Sequence, residues 1–225
     1  MLLFEDYNFA FLHINKTGGT SIKAFLEIVI PQEPVLVGLN NRGGIPTTHE
    51  HITKKVERLE IMGVNYRDLK ILTIIRNPYK RWVSLYYARR RPISRPPNAI
   101  RKAALTMSFE EWLSEFVLKT YQQIRRATFG PEVDYLFMTS SLVLEPYIPS
   151  NLYIIRLEDL NIALPKFLKN ELGVETDVEI PHKNVSNYLR DKDTMDYYPD
   201  HLKRQVYQLD KYIIDKYYPE FRYEI

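Results

Sequence analysis

Cysteine is absent from the 225 residues, so disulfide frameworks, thiolate metal sites and cysteine nucleophiles are all excluded. Long apolar runs are also missing: no stretch approaches the roughly 20 residues that a membrane-crossing helix needs. The opening segment carries Glu5 and Asp6 where a secretory leader would carry basic residues, and no small-residue cleavage site follows. A cytoplasmic location is the expectation. Net charge is scarce, since 31 Lys and Arg face 28 Asp and Glu for a balance of +3. That is too even for a nucleic-acid partner to be inferred from composition, so any basic function is local. Internal repeats and low-complexity tails are lacking too. What is present is 45% hydrophobic and 13% aromatic content, enough for a substantial core, and the chain reads as one domain over residues 1–225.

Three apolar runs each lead through a short turn into a segment of helical spacing. Tyr7 to Ile14 ends in Lys16-Thr17-Gly18-Gly19, and Ser21 to Ile30 follows as a helix. Leu69 to Ile75 ends at Arg76-Asn77-Pro78, with proline suited to the first turn of the next helix. Leu152 to Leu157 precedes Glu158-Asp159 and a helix over Ile162 to Leu172 that stops at Gly173. Strands alternating with helices predict an α/β fold: a central, mainly parallel sheet flanked by helices in three layers. Helices are also expected over His49 to Met62 and over Ser108 to Arg126, where Ser108 and Glu111 form a capping-box signature. A short strand is expected at Asp134 to Met138. The final helix, Asp200 to Tyr217, carries Leu202, Val206, Leu209 and Ile213 on one stripe and is expected to pack on the sheet.

The turn holding Lys16, Thr17, Gly18, Gly19, Thr20 and Ser21 is a candidate anion site. Glycines let backbone N–H groups approach a phosphate, and a helix N-terminus adds favourable partial charge. Lys16 precedes the glycines, whereas in nucleotide-triphosphatase loops the lysine follows them and directly precedes the hydroxyl residue that meets magnesium. The second unit places Arg76 at a strand end and Ser84 eight residues later on a helix.

Together, His13-Ile14-Asn15-Lys16-Thr17-Gly18-Gly19-Thr20-Ser21 and Arg76-Asn77-Pro78-Tyr79-Lys80-Arg81-Trp82-Val83-Ser84 resemble the two cofactor motifs of the sulfotransferase superfamily. The resemblance is closest to the carbohydrate branch that includes heparan sulfate 2-O-sulfotransferases and small bacterial relatives. It implies a P-loop-like fold and transfer of a sulfuryl group from 3'-phosphoadenosine 5'-phosphosulfate (PAPS) to an acceptor hydroxyl, with a saccharide as the expected acceptor. The product nucleotide is adenosine 3',5'-bisphosphate. By the same resemblance Lys16 contacts oxygens at the transferring sulfur, Thr17, Gly18, Gly19, Thr20 and Ser21 wrap the 5'-phosphate, and Arg76 and Ser84 hold the 3'-phosphate. Asn15 departs from the family's usual proline. Arg81 stands open between a ligand contact and a surface or ion-paired residue.

The acceptor hydroxyl needs a base, and the family places a histidine before a helix. His51 fits best, with His49 as the alternative. Their His-x-His spacing lacks a third ligand nearby, so no metal is expected. Lys183, Asn184 and Ser186 resemble a loop that lies near the cofactor in relatives. The stretch Arg89 to Lys102, with five Arg, one Lys and three Pro, reads as a basic irregular excursion that attracts an anionic acceptor. Two rival readings stand beside this one: a P-loop kinase or ATPase, and a non-enzymatic polyanion-binding module.

Overall fold

The computed structural model describes residues 1–37, 52–91, 99–118, 151–181 and 193–223. His49, His51, Lys183, Asn184 and Ser186, the strand expected at 134–138 and the end of the helix expected to reach Arg126 lie outside them. Two compact units make up the chain: Met1–Arg76 with Leu142–Val185, and Asn77–Ser141 with Ser186–Ile225.

The first unit is an α/β structure around five strands: β1 (Leu2–Phe4), β2 (Phe9–Leu12), β3 (Val35–Leu36), β4 (Lys70–Ile75) and β5 (Leu152–Arg156), in the order β3-β1-β2-β4-β5. β2 pairs with β4 and β4 with β5 in parallel. β1 is antiparallel to both β2 and β3, so it alone runs against the other four and the sheet is mostly parallel. Alternation along the strands fills one face with Phe9, Phe11, Leu72 and Ile74, which meet Ile22, Phe25 and Leu26 of α1 (Gly19–Val29). Leu160, Leu164 and Phe167 of the later helix Leu160–Phe167 join the same cluster. On the other face Ala10, Leu12 and Ile71 are equally inaccessible, as expected of parallel strands covered on both sides. Burying each large apolar side chain contributes about 1.5–3 kcal/mol, so the apolar faces of α1 and β2 lock the turn between them from both ends.

The short strands β1 and β3 do not follow from the sequence reading, which starts the first strand at Tyr7. Asn8 adopts φ 47° and reverses the chain between β1 and β2, a conformation that asparagine tolerates. The helix predicted from His49 is described from Ile52 to Ile61, as α2.

The second unit is helical. α3 (Pro78–Arg90) begins with Pro78 in its first turn and Asn77 as its cap, whose side chain accepts from the Lys80 amide at 3.2 Å. α4 (Ala99–Thr106) follows, then α5 (Phe109–Glu111), which continues as a π-helical stretch, Trp112–Leu118. The expected capping box is present: the Ser108 hydroxyl accepts from the Glu111 amide at 3.2 Å, and the Glu111 carboxylate accepts from the Ser108 amide at 2.9 Å. With the helix of the first unit (Leu160–Phe167) numbered α6, the last two are α7 (Asp200–Leu209) and α8 (Lys211–Tyr217). The single C-terminal helix of the sequence reading is therefore broken at Asp210, and its stripe is redirected there. Leu202, Val206 and Ile214 pack with Tyr79, Trp82, Tyr86, Phe109 and Trp112 in an aromatic cluster, so within the second unit these helices find α3 as their partner.

The described ends of the basic stretch 89–102 are more regular than expected. Arg89 and Arg90 belong to the last turn of α3, and Arg101 to α4. Arg90 donates to the Tyr86 hydroxyl at 2.9 Å and to the Ala104 carbonyl at 2.6 Å. Arg101 donates to the carbonyls of Arg89 and Arg91 at 3.2 and 2.9 Å. The Arg101 guanidinium thus satisfies carbonyls at the end of α3, and that of Arg90 a carbonyl in α4. Among the described residues, no helix is long and apolar enough to cross a membrane.

Candidate active site

The site is built where β2, β4 and β5 end side by side. Parallel strands deliver their C-terminal turns to one edge, which is where open α/β sheets hold ligands. After Leu12 the chain passes His13, Ile14 and Asn15 and then turns sharply. Lys16 sits at φ 67° and Gly18 at φ 82°. Gly18 caps α1, and the amides of Ser21 and Ile22 bond to its carbonyl at 2.9 and 3.2 Å. Because the first N–H groups of a helix have no intrahelical acceptor, the Gly19 and Thr20 amides stand at the positive end of α1, available to an anion.

The predicted residues of this loop divide by role. Thr17 is fully buried and its hydroxyl donates to the Ile14 carbonyl at 2.8 Å, so its side chain braces the turn. Thr20 is exposed, Ser21 and Lys16 are half-buried, and Gly19 is buried. Arg76 directly follows β4, and its Nη1 lies 3.5 Å from the Lys16 carbonyl, which brings two of the predicted anion ligands of the first unit to the same turn. Thr73, paired with Leu12 at the end of β2, donates to the Leu12 carbonyl at 2.9 Å and ties β4 to the start of the loop.

Two contributors were not found by sequence reasoning. Arg156 ends β5 opposite Ile75 and adds a third cation to this edge, with its Nε 3.4 Å from the Asp159 carboxylate. Leu157 packs against the loop itself: a Cβ placed on Gly18 would stand 2.7 Å from its Cδ1. A strand-end residue in an apolar run carries no mark in sequence that it will be read from the side of a glycine, so neither was visible.

Ser84 and Arg81 lie on α3 in the second unit. Ser84 is 4% exposed and Arg81 fully buried. The Arg81 guanidinium sits 5.3 Å from the centroid of the Trp82 ring, so Arg81 is a core cation and not a surface residue. Among the described residues, no group of three or more His, Asp or Glu side chains is arranged to hold a metal ion.

A lysine in the turn that opens α1 and arginines at the ends of β4 and β5, with close-packed glycines in that turn, suit an anionic group bound by backbone amides and forked donors. The class is thus an anion-handling α/β protein with a strand-loop-helix site. The sulfotransferase family model matches residues 1–225, and the chain belongs to the sulfotransferase family. The crystal structure of a sulfotransferase from Alicyclobacillus acidocaldarius is similar at 17% identity and a TM-score of 0.48, covering 96% of this chain and 98% of that one. No curated protein matches the sequence.

Proposed function

We propose that this sulfotransferase takes its sulfuryl group from PAPS and delivers it to a hydroxyl of a saccharide. The observation that carries the donor assignment is the turn at 16–21: two left-handed residues, a helix N-terminus and Arg76 against the Lys16 carbonyl. In this reading the Gly19 and Thr20 amides, with the hydroxyls of Thr20 and Ser21, hold the 5'-phosphate. Lys16 neutralises charge at the transferring sulfuryl group. Arg76 and Ser84 hold the 3'-phosphate, and Lys183, Asn184 and Ser186 add donors to the cofactor's phosphates. Arg suits that role because its planar fork matches a phosphate dianion.

The reaction is an in-line displacement at sulfur. The acceptor oxygen forms the new S–O bond while the bond between sulfur and the bridging oxygen of the 5'-phosphate breaks. The acceptor proton passes to His51, or to His49 in the alternative assignment, and adenosine 3',5'-bisphosphate leaves. Positioning and electrostatics supply the rate enhancement, and no metal is required. Support for a saccharide acceptor comes from the second unit, where a cleft of about 640 Å³ is lined by Tyr86, Tyr87, Phe109, Tyr197 and Lys203. The Tyr87 and Tyr197 hydroxyls meet at 3.1 Å, presenting ring surface beside polar groups, as sugar stacking requires.

The test is the unfolding midpoint with adenosine 3',5'-bisphosphate, compared with ATP and magnesium. At a ligand concentration 100 times Kd, binding adds about 2.7 kcal/mol, a rise on the order of 5–10 °C for a protein of this size. A rise with the bisphosphate supports the proposal. A rise confined to ATP and magnesium moves the case to a kinase or ATPase, and no rise with either leaves the polyanion-binding module in front.

A further inference from the structure

The two glycines of the loop are required for different reasons, and the difference assigns a role to His13. Gly18 needs to be glycine on conformational grounds, with φ at 82°. Gly19 does not have a positive φ, and most residues could adopt its backbone conformation. What excludes a side chain there is the His13 imidazole: a Cβ on Gly19 would lie 1.9 Å from both Cδ2 and Nε2, and 2.5 Å from Cγ. The ring therefore occupies the volume that any larger residue at 19 would need. It is itself supported from below, stacked on Phe11 with centroids 6.1 Å apart and planes 16° apart. Phe11 is a core residue of β2, 1% exposed, so a continuous pile runs from the sheet through Phe11 and His13 to the backbone that opens α1.

We infer that His13 is a positioning residue for the donor's 5'-phosphate, a flat wedge that sets where the Gly19 and Thr20 amides stand. The inference rests on the donor assignment made above. It acts through the loop and not through contact with the reacting atoms. Backbone donors stabilise an anion only when held in place beforehand, and a glycine pair with nothing behind it would spread over many conformations. The wedge removes that freedom without adding a side chain to the phosphate's own space.

The test uses the full chain with H13A, G19A and the double variant H13A/G19A. Two quantities are read: the unfolding midpoint without ligand, and Kd for adenosine 5'-phosphate and adenosine 3'-phosphate separately. H13A is expected to weaken the 5'-phosphate at least tenfold while leaving the 3'-phosphate within twofold, a split that a general loss of structure does not produce. G19A is expected to lower the midpoint, and adding H13A to it to restore part of the loss, because the ring that the new methyl meets is gone. Parent-like binding of both nucleotides by H13A overturns the inference and leaves the donor assignment standing. A double variant no more stable than G19A shows that the ring swings aside freely, and overturns it as well. A parent chain that binds neither nucleotide overturns both the donor assignment and the role given to His13.

Discussion

Lys16 combines a charge with a costly backbone conformation, and two substitutions separate them. Its φ of 67° lies in the left-handed region, which costs a residue with a Cβ roughly 1–2 kcal/mol relative to its ordinary conformation. Lys16→Ala removes the ammonium and keeps that cost. Lys16→Gly removes the same ammonium and relieves it, less the extra entropy that glycine loses on folding. Since the charge change is common to both, the difference between the variants isolates the backbone, and the glycine variant should be more stable by about 1 kcal/mol. For a chain of this length that is a midpoint 2–4 °C higher, resolvable by calorimetry without ligand. Transfer should fail in both, by a factor of about 10²–10³ if the ammonium acts as one preorganised electrostatic donor, followed as release of adenosine 3',5'-bisphosphate. Equal midpoints would refute the strain argument. Near-normal transfer by either variant would remove Lys16 from the reaction.

Arg76→Ala should weaken adenosine 3',5'-bisphosphate by about 1.5–3 kcal/mol, the value of charge-assisted hydrogen bonds, while leaving adenosine 5'-phosphate nearly unchanged; titration calorimetry with both nucleotides checks this, and an equal loss for the two would contradict the assignment. Tyr79 and Tyr198 donate to the carbonyls of Lys203 and Tyr79 at 3.1 and 2.7 Å, and burial pushes both phenols well up. The fold thus favours their neutral forms, so stability is intact below the ordinary phenol value of about 10 and is lost as pH rises beyond it; alkaline melts of Tyr198→Phe should show a shallower loss than the parent. Ser108→Ala removes one half of the capping box and should cost about 1 kcal/mol. The Glu111 carboxyl is held below its usual range by the Ser108 amide, so the box contributes above the ordinary carboxylate value and loosens as pH falls through the depressed one; a pH series of melts in which parent and Ser108→Ala diverge only in acid would contradict that sign.

Much of this arrangement was legible because the signals were local. A glycine turn after an aromatic and aliphatic run, Pro78 after Asn77, and a Ser108-Glu111 pair each specify a strand end or a helix start through nearest-neighbour chemistry, and each element lies within a few residues of its expected place. Gly173 closes its helix at φ 68° for the same reason. What escaped depends on partners far away in the chain. β1 and β3 span three and two residues, too short for periodicity, and exist because β2 offers an edge to β1 and β1 in turn offers one to β3. The break at Asp210 moves Ile214 into a cluster built by α3, α4, α5 with its π-helical continuation, and α7, which no helical stripe reveals. In the candidate site the glycines, Lys16 and Arg76 announced themselves by type, whereas Arg156 did not, and Leu157 and His13 matter through the side of a glycine they press on. Such contacts are set by how the loop closes and by which strand end lies beside it, and no residue type or spacing announces them.

The division of the chain also bears on how it can be made and cut. Each unit is assembled from two separate stretches, the first from 1–76 and 142–185 and the second from 77–141 and 186–225. Strand β4 is synthesised long before β5, its parallel neighbour, which begins only at Leu152. During synthesis, therefore, the hydrogen-bonding edge of Lys70–Ile75 stays bare while the whole first stretch of the other unit is added. An apolar edge of that kind invites pairing with another chain. Fragments ending near residue 140 should accordingly aggregate where the full chain does not, and no single cut releases either unit whole.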